Sequence, residues 1–341
     1  MAVTEPDTKQ SEMTTREIFM SEALREAIDE EMQRDPAVFL VGEEVGVWGG
    51  AYAVSAGLLE KWGPDRIVDT PIAEAAIAGL GIGAALTGSR PIAEFMYSDF
   101  MGIAMDQIVN QAAKNRYMFG GKASLPLTYR ASFGAGTGNA AQHTQSLEAW
   151  FAHVPGLKVI TASTPYDAKG LLKSAIREDN VVVMFEHKAI YAMRGHVPEE
   201  EYLVPIGVAD VKREGSDVSV ITYARQVHNA LEAAEQLSTE GVSVEVVDIR
   251  SLYPLDTEAI LRSVRKTHRA VVLYEAVRFG GFGAEIASQI QELAFDDLDA
   301  PVLRVGAAHA PVPFSEPLEQ GSFPDAESVA TAIRDSLQGA R

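Results

Sequence analysis

Most of the chain alternates between short, largely apolar runs and longer stretches in which apolar residues recur every three or four positions. The runs are VFLV at 38–41, PIAEF at 91–95, LPLTYR at 125–130, LKVITA at 157–162 and VVVMFE at 181–186. Runs of that length with little alternation predict strands covered on both faces. Helical patterns at 98–116 and 166–177 fall between them, and strands separated by helices make a parallel sheet. Thr14 and Glu17 have the spacing of a capping box, with Met20, Leu24, Ala27, Ile28 and Met32 following at helical period, so a helix is expected to open the fold.

The pattern lapses at GHVPEEEYLVPIG, 195–207, where two prolines and three consecutive glutamates mark a linker. Beyond it, strands are expected in VSVITY (218–223), VSVEVVDI (242–249) and AVVLY (270–274), with helices near 226–238, 257–265, 283–294 and 325–337. The expected organisation is a tail at 1–13, a doubly wound α/β domain at 14–194, a linker at 195–212 and a second, smaller doubly wound α/β domain at 213–341.

Composition narrows the partners. With 341 residues, 47% hydrophobic and 23% charged, the chain has apolar material for two cores and is far from a disordered composition. Acidic residues number 48 against 29 basic ones, a net charge of -19. That field repels phosphate backbones and anionic lipid, which argues against nucleic acid as a partner. There is no cysteine, which removes disulfides, thiolate metal sites and thiol nucleophiles and suits the cytoplasm. No apolar run approaches the roughly 20 residues that span a bilayer, so no membrane association is expected. The opening MAVTEPDTKQSE is acidic and lacks a hydrophobic segment, so it is expected to be a disordered tail and neither a signal nor a transit peptide.

Three familiar motifs fail on spacing. Gly79, Gly81 and Gly83 run G-x-G-x-G inside a helical pattern, not G-x-G-x-x-G at a strand-to-helix turn, and are expected to admit a neighbouring backbone. Gly121-Lys122 lacks the remaining residues of a phosphate-binding loop, and the 7 histidines have no zinc-protease spacing.

Three stretches remain. In DTPIAEAAIAGLGIGAALTG, 69–88, Thr70 is a candidate cap and Pro71 suits a first turn, so Glu74 reads as an acid favoured by the helix dipole. The small apolar residues after it also suit an enclosed helix, and a carboxylate entering an enclosed site needs a partner and is a candidate for proton chemistry. FMYSDFMG, 95–102, falls at an expected strand end, where doubly wound sheets bind ligands; its Phe100 suits that role or plain core packing. FGAGTGNAAQHTQS, 133–146, places three glycines in five residues before His143. That fits a loop holding an imidazole beside a ligand, or an ordinary surface loop.

Taken in order, VFLVGEEV, DTPIAEAAIAG, RPIAEFMYSDF, DQIVNQAAKNRYMFGG, AAQHTQS, PGLKV and DAKGLLKSAIRE resemble the beta subunit of the thiamine-diphosphate-dependent decarboxylating component of 2-oxo acid dehydrogenase complexes. That group includes the pyruvate, acetoin and branched-chain enzymes, and the resemblance runs from about Thr14 to Leu337. It implies a transketolase-like pyrimidine-binding domain followed by a smaller transketolase C-terminal domain. It implies that Glu74 hydrogen-bonds the ring nitrogen of the cofactor's aminopyrimidine, that Phe100 packs on that ring with Ile72 and Met96 beside it, and that His143 faces the reacting carbonyl and the incoming lipoyl group. Backbone carbonyls near Leu127, Ala175, Glu178 and Asn180 correspond to a monovalent-cation (K+) site in relatives, and Val181 stands where relatives commonly have proline.

Enzymes of this kind anchor the diphosphate through Mg2+ on a Gly-Asp-Gly motif, and none of the 28 glycines here precedes an aspartate. The resemblance therefore implies an alpha subunit that brings the Mg2+ side in an α2β2 heterotetramer, a lipoyl acyltransferase as acceptor, and pyruvate or acetoin as substrate. Two rivals stay open. One is a transketolase-like or deoxyxylulose-phosphate synthase-like enzyme, which would carry the magnesium motif in the same chain. The other is a non-catalytic scaffold of the complex, which would not need Glu74, Phe100 and His143 together.

Overall fold

The computed structural model describes residues 15–339. The expected tail and Thr14 lie outside them. The described residues open on a strand, β1 (Thr15–Phe19), ahead of the expected helix. Glu17 is drawn into that strand, and half of a capping box forms further on, where the Glu22 carboxylate accepts the Phe19 N–H at 2.8 Å while Phe19 offers no side-chain acceptor in return. Helix α1 (Met20–Arg34) then buries the apolar positions read from the sequence, Met20, Leu24, Ala27, Ile28 and Met32.

The following elements are β2 (Val38–Glu43), α2 (Leu58–Trp62), β3 (Ile67–Thr70), α3 (Glu74–Leu86), β4 (Arg90–Phe95), α4 (Ala113–Met118), β5 (Thr128–Phe133), α5 (Glu148–Ala152), β6 (Lys158–Thr161), α6 (Pro165–Arg177), β7 (Val182–His187) and β8 (Arg194–Pro198). The expected helix at 98–116 is three pieces: a 3₁₀ segment Ser98–Ala104, a π-helical stretch Asp106–Ala112, and α4. β8 occupies the start of the stretch read as a linker, because it pairs antiparallel with β1.

The second half contains β9 (Asp210–Arg213), β10 (Val218–Thr222), α7 (Gln226–Ser238), β11 (Val244–Asp248), β12 (Ser251–Tyr253), α8 (Thr257–Thr267), β13 (Ala270–Val277), α9 (Gly283–Leu293), β14 (Leu303–Ala307), α10 (Glu316–Gln320) and α11 (Ala326–Gln338). Its five-stranded sheet has the order β14-β13-β10-β11-β9, parallel except at β9. The larger sheet has seven strands in the order β12-β6-β7-β5-β4-β2-β3. All of its strands are parallel except β12, which comes from the second half and pairs antiparallel with β6.

Three apolar cores hold these layers. One lies under α1 and α6 and includes Leu24, Leu40, Ile92, Leu171 and Met184. A second lies under α7 and α11, with Val220, Val227, Leu273 and Ile333. The third is shared by the two sheets, running from Ile77, Tyr129 and Phe185 to Tyr223, Ile249, Val272 and Ile286. Of the three helix glycines, Gly81 alone is pressed, with a hypothetical Cβ 2.9 Å from the Leu127 side chain; Gly83 faces open space. None of the described helices is long and apolar enough to cross a membrane.

Beneath the sheet edge that carries the candidate residues lies a buried charge cluster. Arg130 on β5 donates to Glu186 through Nε at 2.9 Å and Nη2 at 2.6 Å, and through Nη1 to Glu94. The Tyr191 hydroxyl donates to Glu186 at 2.7 Å. Burial holds the Glu94 carboxyl above its usual range against the pull of Arg130. Arg130→Met leaves two buried glutamates without their cation and is expected to lower the unfolding free energy by about 3–5 kcal/mol at neutral pH. The deficit should shrink in mild acid, where Glu94 takes a proton, and urea denaturation of both proteins at two pH values measures the difference.

Candidate active site

Because the central strands run parallel, β2, β3, β4, β5 and β7 all end at one edge, at Glu43, Thr70, Phe95, Phe133 and His187. The chain crosses from one side of β2 to the other between β3 and β4, the kind of reversal at which such sheets bind ligands. Every side-chain candidate read from the sequence lies in a segment leaving this edge.

Glu74 is the first residue of α3 and is buried. Thr70 does not cap the helix: Ala73 is the N-cap and makes no side-chain bond, while the Thr70 hydroxyl is buried without a hydrogen-bond partner. Pro71 lies before the helix, outside its first turn. Among the described residues, nothing donates a hydrogen bond to the Glu74 carboxylate. Its neighbour Glu43, at the end of β2, is held above the usual carboxylate range by burial and then by the charges of Glu74 and Glu44. The expectation that this chain encloses α3 does not hold on every side, since Ala76, Leu80, Gly83 and Leu86 form an exposed apolar stripe. Ile72 is 74% exposed, so it lies on the surface of this chain, not in a wall that the chain itself completes.

The 3₁₀ segment after β4 packs against α3 and carries Phe100. Phe100 and His143 meet edge to face with ring centroids 5.1 Å apart, and Tyr97 packs against both, 5.0 Å from His143 and 6.0 Å from Phe100. Met96 is half-buried, and its carbonyl accepts the Ser132 hydroxyl at 2.5 Å. Asp99 anchors the same segment to the His143 loop by accepting the Gln145 backbone N–H at 3.2 Å and side-chain amide at 2.8 Å.

The glycine-rich loop does not offer its amides outward. Ala135 N–H donates to Glu275 at 2.7 Å, and Gly136 and Gly138 N–H donate to Glu319 at 2.9 and 3.1 Å. Both acids come from the second half, on β13 and α10. Gly134 is needed for its φ of +87° and because a Cβ there would lie 2.2 Å from His187 Nε2. His187 Nε2 lies 2.7 Å from the other oxygen of Glu275. Burial pushes Glu275 up, but the charge and hydrogen bond of His187, the Ala135 N–H and the Arg225 charge together bring it down to about 2. Lys188, which follows His187, donates to the backbone carbonyl of His143.

Leu127, Ala175, Glu178 and Asn180 gather at the opposite edge, where β5 and β7 begin and α6 ends. The carbonyls of Leu127 and Ala175 accept the N–H groups of Val182 and Glu178 at 3.0 and 3.2 Å, and that of Glu178 accepts Arg90 at 3.2 Å. Neutral carbonyls with a free lone pair are the donor set that a monovalent cation takes, so the chemistry of the loop fits one. Arg90 already places a positive charge there.

Comparison with known proteins places both halves of the chain. Residues 16–193 match the transketolase pyrimidine-binding domain and residues 207–329 the transketolase C-terminal domain. A split-gene transketolase, solved as an inactive beta4 tetramer, covers 95% of this chain and 99% of its own at a TM-score of 0.74 and 24% identity, a likeness of fold. The acetoin:2,6-dichlorophenolindophenol oxidoreductase beta subunit of Cupriavidus necator is 48% identical over 96% of this chain and 99% of its own length. The 2-oxoisovalerate dehydrogenase beta subunit of Bacillus subtilis is 47% identical over 92% and 97%, and the pyruvate dehydrogenase E1 component beta subunit of Porphyra purpurea 45% over 95% and 98%. The chain belongs to the family of 2-oxo acid dehydrogenase beta subunits.

In this beta subunit, sequence reasoning missed Glu43, Lys188, Glu275 and Glu319. Glu43 had a local signal, paired acids at the end of an apolar strand; the other three act only through contacts between distant segments. Glu275 supplies a measurable one. Its carboxyl is at about 2 when folded against an ordinary 4.5, so the stability it confers is complete above about pH 4.5 and is lost as pH falls toward 2. Glu275→Gln should therefore be destabilised by about 3 kcal/mol at pH 7 and show a flatter decline in acid than the wild type. Chemical denaturation between pH 7 and pH 3 reads both slopes.

Proposed function

We propose that this beta subunit supplies the pyrimidine-side half of a thiamine-diphosphate site in an enzyme that decarboxylates or cleaves pyruvate or acetoin and reductively acylates the lipoyl group of an acyltransferase. The observation that carries the reading is Glu74: a mostly covered residue whose carboxylate meets no donor among the described residues, at the mouth of an apolar helix, where the strand order reverses. Such a carboxyl is free to bond a ligand, and an aminopyrimidine ring nitrogen, itself an acceptor when neutral, pairs with it by sharing the carboxyl's proton. The family is associated with thiamine diphosphate, which when bound supplies the electron sink for cleavage next to a carbonyl. The chain's own residues then bind and orient. Glu74 fixes a proton on the ring it faces, Phe100 and Met96 offer an apolar surface to that ring, and His143 exchanges a proton with the reacting oxygen or the lipoyl sulfur.

The diphosphate and Mg2+ belong in this reading to an alpha subunit in an α2β2 assembly in the cytoplasm. Support comes from the net charge of -19, which disfavours a diphosphate, and from apolar surface that the chain leaves uncovered. Ile72, Ile103, Tyr117 and Met118 are each more than 60% exposed, and obligate partners cover patches of this kind. Ile72 completes the cofactor's apolar wall once that partner is in place. K+ at the carbonyls of Leu127, Ala175, Glu178 and Asn180 has a structural role, holding the loop between α6 and β7.

Two measurements test the reading. Purified alone, the chain should bind thiamine diphosphate weakly and decarboxylate nothing. Adding the cognate alpha subunit and Mg2+ should restore both, with one cofactor per alpha-beta pair by calorimetry, and tight Mg2+-dependent binding by this chain alone would return the transketolase-like alternative. In the assembled enzyme, Glu74→Gln should leave assembly intact and lower the decarboxylation rate by about 10² or more. Turnover near wild type in that variant would remove Glu74 from the mechanism.

A further inference from the structure

Lys188 follows the last residue of β7 and is 97% covered as a residue, with a relative exposure of 3%. Buried lysines normally carry a paired carboxylate. Three acids face this one, Asp99 from the 3₁₀ segment, Glu275 from β13 and Glu319 from α10, and each is engaged elsewhere. Asp99 holds Gln145, Glu275 holds His187 and Ala135, and Glu319 holds Gly136 and Gly138. The Lys188 ammonium instead donates to the backbone carbonyl of His143 and lies 5.3 Å from the centre of the Tyr97 ring, the ring that packs against the His143 imidazole.

We infer that Lys188 is a positioning residue for His143, holding the loop backbone by a charge-assisted hydrogen bond and the neighbouring aromatic wall by a cation–π contact. Neither function requires it to touch substrate. Both depend on its charge, since a neutral amine is a weaker donor and has no attraction for a ring face. Burial lowers its pKa to about 8, against the opposing pull of Asp99, Glu275 and Glu319. Its hold is therefore complete at neutral pH and weakens as pH rises through about 8. The consequence for lipoyl acylation rests on the proposed function of His143; the hold on the loop does not.

Hydrogen–deuterium exchange of the full chain tests the hold directly, using the peptide spanning 140–147 with rates corrected for intrinsic base catalysis. In the wild type, protection should fall by about tenfold between pH 7 and pH 9, the loss of one hydrogen bond from a charged donor, while α7 stays unchanged. Lys188→Arg, which keeps its charge, should hold the loop at both pH values, and Lys188→Met should lose protection at both. A Lys188→Met loop protected like the wild type at pH 7 overturns the inference. In the enzyme assembled with its alpha subunit, Lys188→Met should lower kcat for acyl transfer about tenfold, the same lost bond, with KM for the 2-oxo acid changed less than twofold. If the assembled wild type turns over no 2-oxo acid, the functional reading falls and the exchange result alone decides the role of Lys188.

Discussion

One buried carboxylate ties the two halves of this protein to the glycine-rich loop that leads to His143. Glu275 stands on the second sheet, yet its partners, His187, Ala135 and Ser146, all belong to segments leaving the first. An ionised acid removed from water is costly unless its lone pairs are used, and here both oxygens are engaged. The arrangement explains the glycine at 134, since only a residue without a side chain lets His187 come close enough to Glu275. Glu319 repeats the device on the amides of Gly136 and Gly138. The loop's shape is therefore set by acids more than a hundred residues away in sequence.

The same geometry explains what could be read from the chain. Central strands such as Val38–Glu43 and Val182–His187 are covered on both sides, so their apolar runs are unmistakable. Thr15–Phe19 and Leu303–Ala307 are only partly covered, and their strand state comes from the partner strand they meet, a long-range fact without a local pattern. The capping role read for Glu17 lost to that pairing. Glu74, Phe100 and His143 could be singled out as candidates because they sit in continuous motifs. Lys188, Glu275 and Glu319 were not, because their meaning is a juxtaposition.

Glu43 and Glu74 add a different constraint. Two acids converge where the strand order reverses, and the charge of one raises the proton affinity of the other. An edge built this way favours retention of a proton and the approach of a hydrogen-bond donor. It is poorly suited to a second anion. The local electrostatics support the proposed division of labour with a phosphate-handling partner as much as the missing magnesium motif does.

The strand Ser251–Tyr253 has a consequence for synthesis and turnover. It leaves the second half to cover the outer side of Lys158–Thr161, so during translation the larger sheet stays open along that margin until the chain has emerged as far as Tyr253. An open strand margin is a template for pairing with other chains. The nascent protein is thus exposed to mispairing late, after its first core can already collapse. Once closed, the margin cannot be reopened by separating the halves without also breaking the sheet, so a cut in the connecting segment would nick the protein without releasing two independent pieces.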